Sequence, residues 1–140
     1  MASVDDIYDG IRRGQYSIRN STDSVEKLAN YYYEKFDFAR TIYLYDQLIF
    51  HGNVSHNNIM IYMHRIGACY SLLARYSDAE HQYRAVIETS RVNDVRVAAM
   101  LSLAFDFQIR QRLSEAESIL LEAKALNVPS YDYAINENLA

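Results

Sequence analysis

The side chains that could do chemistry in this chain are few and widely spaced. The four histidines, His51, His56, His64 and His81, do not have metal-ligand spacing, and the sequence contains no HExxH or CxxC motif. Cys69 is the only cysteine, so neither a disulfide framework nor a zinc cluster can form within the chain. We therefore expect no metal site and no cofactor.

The glycine and carboxylate patterns of common enzymes are also missing. The four glycines are scattered, and no G-x-G-x-x-G, P-loop or G-x-S-x-G sequence occurs. Glu115, Glu117 and Glu122 are typical of charges at the start and on the solvent face of a helix rather than of an acid/base pair. The sequence predicts a protein without catalytic residues, which is not an enzyme.

Charge and hydropathy exclude two further classes. The net charge is −4 and the Lys and Arg residues are scattered, whereas a nucleic-acid binder needs a basic patch. No apolar run approaches the roughly 18 residues of a membrane span, and the N-terminus is polar. The sequons at Asn20 and Asn53 matter only after secretion. We expect a soluble cytoplasmic or nuclear protein, not secreted, with no nucleic-acid or membrane partner.

Apolar residues recur instead at helical spacing along most of the chain. This period predicts helices at about 24–34, 37–50, 57–74, 77–90, 94–110 and 114–126. Ser77 and Ser114 each precede a glutamate by three residues and predict capping boxes at two helix starts. Asp37 is predicted to cap a third helix.

The helical segments contain a recurring arrangement of large, small and aromatic residues. Two copies have identical internal distances: Ile66, Gly67, Tyr70, Ala79, Tyr83 and Val86 in one, and Leu103, Ala104, Phe107, Ala116, Leu120 and Ala123 in the other. A looser copy contains Leu28, Ala29, Tyr32, Ala39 and Tyr43. The arrangement resembles that of the tetratricopeptide repeat (TPR) family, although the tryptophan of that family is absent.

The resemblance implies an all-α fold, a right-handed α-solenoid of three helix pairs at about 23–53, 57–91 and 94–129. An N-terminal segment at 1–22 could add a short helix. The segment at 130–140 would begin either a capping helix or a further repeat.

The resemblance also implies a binding groove on the inner face of the first helix of each pair. Its candidate residues are Glu26, Asn30, Tyr33, Glu34, Ile61, His64, Ala68, Leu72, Leu101, Phe105, Gln108 and Ile109, with Asp23, Ser71 and Ala98 beside them. The carboxylate clamp of heat-shock co-chaperones is not matched, because Glu26 and Ala98 stand at its lysine positions and Ser102 at an arginine position. The Glu26 carboxylate at a clamp position would repel an anionic ligand.

The expected function is therefore that of a protein-interaction scaffold. Its partner would be a peptide segment or an amphipathic helix with aliphatic anchors and some basic residues. Two alternatives stay open. One is a structural or self-associating subunit, either a homodimer or part of a multi-subunit complex, similar to the TPR subunits of the anaphase-promoting complex or the RNA polymerase III initiation machinery. The other is a TPR secretion chaperone. The apolar part of the groove could also be covered by the next turn of a longer superhelix.

Overall fold

The computed structural model describes residues 3–140, which form eight α-helices and two short 3₁₀ turns without a β-strand. The helices are α1 (Val4–Arg12), α2 (Thr22–Glu34), α3 (Phe38–His51), α4 (His56–Leu72), α5 (Tyr76–Thr89), α6 (Asn93–Ile109), α7 (Leu113–Ala125) and α8 (Asp132–Leu139). The 3₁₀ turns span Arg19–Ser21 and Pro129–Tyr131. The predicted all-α class is confirmed.

The chain divides into two compact units, and the boundary between Tyr62 and Met63 lies inside α4. In the first unit α2 packs against α3, and the fully buried side chains of Leu44, Tyr45 and Leu48 form the centre of its core. In the second unit α6 packs against both α5 and α7, and α8 packs against α7. Each unit therefore has an apolar core of its own.

The first helix, α1, forms although Gly10 lies within it. Ser3 and Asp6 make a capping box, in which the Ser3 hydroxyl accepts from the Asp6 N–H at 3.1 Å and the Asp6 carboxylate accepts from the Ser3 N–H at 3.2 Å. Tyr8 packs edge-on against the ring of Tyr32 at 5.6 Å. The cap and this packing offset the cost of about 1 kcal/mol that a glycine brings to a helix interior.

The same tight turn ends α2, α4 and α6. In each turn one residue other than glycine has a positive φ, and the N–H of the next residue donates to the carbonyl of the aromatic residue five positions earlier, which is the pattern of a Schellman motif. The positive-φ residues are Phe36 (61°), Ala74 (57°) and Gln111 (61°). The closing bonds run from Asp37 to Tyr32 at 3.0 Å, from Arg75 to Tyr70 at 2.8 Å and from Arg112 to Phe107 at 2.8 Å.

These turns show that the predicted serine capping boxes are wrong. The N-cap residues of α5 and α7 are Arg75 and Arg112, and neither helix start has a side-chain cap. Because the closing bond of the turn takes the N–H of the arginine, the next helix begins directly after it and the serine falls in the first helical turn. Asp37 is confirmed as the N-cap of α3, where its carboxylate accepts from the Arg40 N–H at 3.3 Å.

The same turn corrects the register of the first repeat copy. Counted from the N-cap, Thr41 in α3 corresponds to Ala79 in α5 and to Ala116 in α7. Thr41 and Ala79 have no exposed surface, and Ala116 has 2%, whereas Ala39 is exposed. The small buried position of the first copy is therefore Thr41 instead of Ala39, and the spacing from Leu28 then equals that of the other two copies.

Candidate functional site

The second unit contains an open pocket of about 590 Å³ formed by α4, α5 and α6. We call it the α4–α6 pocket, and its lining residues are Ala68, Ser71, Leu72, Tyr76, Tyr83, Leu101, Ser102, Phe105, Asp106 and Ile109. Helical spacing explains the lining on α6. Leu101, Phe105 and Ile109 follow one another at four positions, Ser102 and Asp106 form a neighbouring row with the same spacing, and both rows share one face.

Three apolar side chains at the pocket are exposed to solvent. Leu72, at the end of α4, is 62% exposed, while Phe105 and Ile109 on α6 are 59% and 48% exposed. Apolar side chains grouped around a concave surface are typical of a site that is covered by a partner. We call these three residues the apolar rim.

The lining also contains a buried carboxylate. Asp106 is only 2% exposed, and its Oδ2 accepts a hydrogen bond from the Ser71 hydroxyl at 2.5 Å. The Tyr83 hydroxyl lies 3.0 Å from the same Ser71 oxygen, and since Ser71 has only one proton to donate, Tyr83 is the donor to Ser71. Burial raises the pKa of Asp106 above its usual value, although the Ser71 bond and Arg110 oppose the shift.

A second polar contact joins the same two helices. His64 Nε2 on α4 lies 2.8 Å from Ser102 Oγ on α6, and the imidazole ring is 5.6 Å from the ring of Tyr83. Burial lowers the pKa of His64, and the charge of Arg65 lowers it further, so the imidazole is neutral at pH 7. Together with the bond between Ser71 and Asp106, this contact links α4 to α6.

The pocket brings together one part of the predicted groove. Five of the candidates line it, namely Ala68, Leu72, Leu101, Phe105 and Ile109. His64 does not line the pocket but contacts Ser102, which does. Gln108 lines a different concavity, with Leu113, Ala116, Glu117, Leu120 and the end of α8.

The predicted groove residues of the first unit mostly contact other side chains. Glu26 accepts a hydrogen bond from the Tyr62 hydroxyl, and Asn30 Oδ1 accepts one from the Tyr45 hydroxyl at 2.5 Å. The rings of Tyr45 and Tyr62 are stacked 5.0 Å apart. These bonds connect α2 with α3 and with the first part of α4.

The remaining first-unit candidates differ in their exposure. Tyr33 is half-buried and packs edge-on against Phe38 at 6.3 Å. Ile61 is half-buried as well, and Glu34 is exposed.

Among the polar residues of the lining, Ser71 stands beside the predicted groove, whereas Tyr83, Ser102 and Asp106 are not predicted groove residues. Tyr83 belongs to the repeat pattern, and Ser102 stands at a clamp arginine position. A signal for Asp106 was present, because it is a single carboxylate between the apolar residues Leu103 and Phe107. A carboxylate on the buried face of a helix needs a partner.

Three further properties of the described part of the chain concern metal ligands, the single thiol and helix length. Residues 3–140 contain no group of three or more His, Cys, Asp or Glu side chains that could hold a metal ion. Cys69 is buried, and burial raises the pKa of its thiol to about 12, so the reactive thiolate is scarce at neutral pH. None of the helices within this range is both long and apolar enough to span a membrane.

Comparison with known proteins leaves the site to be interpreted from its geometry. No protein-family model and no curated protein matches the chain. The structure defines an all-α protein in which α2, α4 and α6 end in the same tight turn, with an apolar pocket that has a buried carboxylate in its lining.

Proposed function

We propose that this protein is a TPR-like interaction module that binds a segment of another protein in the α4–α6 pocket. The observation that carries the proposal is the apolar rim beside a concave surface, since Leu72, Phe105 and Ile109 are each about half exposed or more. The module would be non-enzymatic and would act in the cytoplasm or nucleus as a scaffold.

The repeated local geometry supports the TPR-like part of the proposal. The turn with a positive-φ residue occurs after α2, α4 and α6, and a small buried residue precedes the aromatic of each turn by three positions. These small residues are Ala29, Gly67 and Ala104. Three helix pairs arranged as a right-handed solenoid would follow from such repeats.

The dimensions of the pocket favour a peptide occupant. A volume of about 590 Å³ accommodates a few side chains, and peptide grooves use alternating or helically spaced apolar anchors. An extended segment or an amphipathic helix could place two aliphatic residues against the apolar rim.

The test is a peptide selection followed by substitution of the rim. Peptides selected from a random library on the immobilised protein should bind Leu72→Asp and Phe105→Asp at least about tenfold more weakly, because each substitution puts a charge on a central apolar contact. Phe50→Asp is the matched control, since Phe50 is 74% exposed and lies outside the pocket. All three variants should keep the helical circular dichroism of the wild type.

Two results would contradict the proposal. Selected peptides that bind Phe105→Asp as tightly as the wild type would place the binding surface elsewhere. Loss of helical signal in both rim variants would show that these side chains belong to a core.

A self-associating or assembly subunit is the second candidate function. It is favoured by apolar exposure away from the pocket, since Leu113 and Leu121 on α7 are 59% and 51% exposed. Light scattering distinguishes the two functions, because a monomer in dilute solution supports the peptide-binding module and a dimer that Leu121→Asp dissociates supports self-association.

A further inference from the structure

We infer that the partner of the α4–α6 pocket inserts a positively charged side chain, lysine or arginine, which pairs with Asp106. The inference rests on the proposed function, because it takes this pocket as the binding site and specifies the chemistry of the occupant. The partner segment would carry the basic residue between aliphatic residues that cover the apolar rim.

The first argument is the state of the Asp106 carboxylate. It lies in the pocket lining, is 2% exposed and accepts from Ser71, and within residues 3–140 it forms no ion pair. Arg110 is the cation that acts on it electrostatically, but the Arg110 guanidinium bonds to Glu80 at 3.4 Å and lies 5.1 Å over the ring of Phe107. Within residues 3–140 the Asp106 carboxylate thus has a hydroxyl donor in Ser71 but no cation bonded to it.

The second argument concerns what an occupant would do to that carboxylate. A ligand that covers the apolar rim removes the remaining water from the pocket, and a buried charge without a counter-charge is costly. An aliphatic occupant would impose this cost, and an acidic occupant would add repulsion. A cationic occupant would replace the lost solvation by a charge pair that is stronger in the dry pocket than in water.

The third argument is that the pocket suits the apolar stem of a basic side chain. Lysine and arginine bury their methylene groups against apolar surface while the charged head reaches a polar partner. Leu101 and Phe105 supply such a surface, and Ser102 adds a hydroxyl oxygen in the same lining. The carboxylate therefore matches the charged head of a lysine or arginine of the partner. The apolar surface matches the methylene stem of that side chain and the aliphatic residues beside it.

The test begins with the same random-peptide selection, run in parallel on the wild type and on Asp106→Asn. Asparagine keeps the shape of the side chain and an oxygen that can accept from Ser71, but it removes the charge. Peptides selected on the wild type should carry Lys or Arg at one fixed position between aliphatic residues. This preference should disappear from the peptides selected on Asp106→Asn.

Synthetic peptides then isolate the charge. The best wild-type ligand is compared with versions in which the basic residue is lysine, arginine or norleucine, an uncharged analogue of lysine, by fluorescence polarisation. On the wild type the norleucine peptide should bind at least about tenfold more weakly than the lysine peptide. On Asp106→Asn the lysine and norleucine peptides should bind alike. If that variant does not fold, the comparison of the two peptides on the wild type is a sufficient test.

The outcomes separate the two proposals. Ligands that depend on Phe105 but bind equally with lysine and norleucine would overturn the charged-anchor inference and leave the proposed function standing. A library without any ligand that depends on Phe105 or Leu72 would overturn both.

Discussion

At the scale of single residues, arginines at the helix turns take the place of the expected serine caps. The guanidinium carbon of Arg75 lies 4.9 Å over the ring of Tyr70, and its Nε bonds to Asp78 at 2.9 Å. The guanidinium carbon of Arg112 lies 4.7 Å over the ring of Phe107, and its Nε bonds to Glu115. The ion pairs are exposed and weak on their own, so the stacked contact and the turn bond set the helix start.

The cap assignment predicts unequal effects of two alanine substitutions. Asp37→Ala should lower the free energy of unfolding by about 0.5 to 2 kcal/mol, because the Arg40 N–H loses its side-chain acceptor. Ser114→Ala should stay within about 0.5 kcal/mol of the wild type, as expected for an exposed residue without a capping role. Urea denaturation measures both free energies. An equal loss of stability in the two variants would mean that Ser114 does cap α7.

The buried imidazole of His64 predicts a pH dependence of stability. Because burial lowers the pKa of His64 in the folded state, the unfolded chain takes up this proton at a higher pH than the folded chain. The stability that belongs to the neutral ring is present above the usual histidine pKa of about 6.5 and is lost as the pH falls through the lower folded value.

Comparison of His64→Gln with the wild type tests this dependence. The variant should lose less stability than the wild type between about pH 7.5 and about pH 5.5, because it lacks the titrating group. Parallel slopes for His64→Gln and the wild type would mean that the imidazole titrates alike in both states.

At the scale of helices, a small residue allows α4 and α5 to approach closely. A Cβ atom at Gly67 would lie 2.6 Å from Cε1 of Tyr83, and Tyr83 is held by Ser71 on the same helix as Gly67. Buried Ala29 and Ala104 stand at the same offset from the turns after α2 and α6. The recurring small residue is therefore a packing requirement of each pair.

A bulky residue at Gly67 should force the pair apart. Gly67→Leu is expected to cost about 1 to 3 kcal/mol through overpacking and to lower the melting temperature. Ala39→Leu is the matched control and should change the stability by no more than about 0.5 kcal/mol, because Ala39 is exposed. Thermal melts of the two variants decide the point, and a large loss from Ala39→Leu would argue against the register with Thr41 at the buried position.

At the scale of the whole molecule, each of the two units also contains a short helix, α1 in the first and α8 in the second. In the first unit α1 contributes the buried side chains of Tyr8 and Ile11. In the second unit α8 packs on α7 and contributes Ile135, which has no exposed surface. Helices as short as α8, with eight residues, are not stable in isolation, so their order depends on this packing.

Truncation of Ile135 tests whether α8 stabilises the second unit. Ile135→Ala should lower the free energy of unfolding by about 2 to 5 kcal/mol, which is typical of a fully buried isoleucine. Tyr133→Ala on the same helix should have little effect, because Tyr133 is 79% exposed. Denaturation followed by circular dichroism measures both, and equal small effects would indicate that α8 is not docked on α7.

The sequence alone determined the features that depend on neighbouring residues. The helical period predicted the six central helices because side chains three and four positions apart share a face. Leu101, Phe105 and Ile109 were indicated as groove residues by the resemblance to the TPR family. The small residues of the repeats were recognisable from their fixed spacing to an aromatic. Asp37 was recognisable as a cap because its carboxylate acts within its own turn.

Only the tertiary structure decided the features that depend on distant or unusual contacts. The turns place Phe36, Ala74 and Gln111 at positive φ, a conformation that glycine usually marks. The sequence therefore did not show that Arg75 and Arg112, rather than serines, are the N-cap residues of α5 and α7. Glu26 meets Tyr62, and Ser71 meets Asp106, only because helices far apart in the chain pack together. Whether a polar side chain faces a partner, a pocket or solvent is set by this packing, and a local pattern of residue types does not contain it.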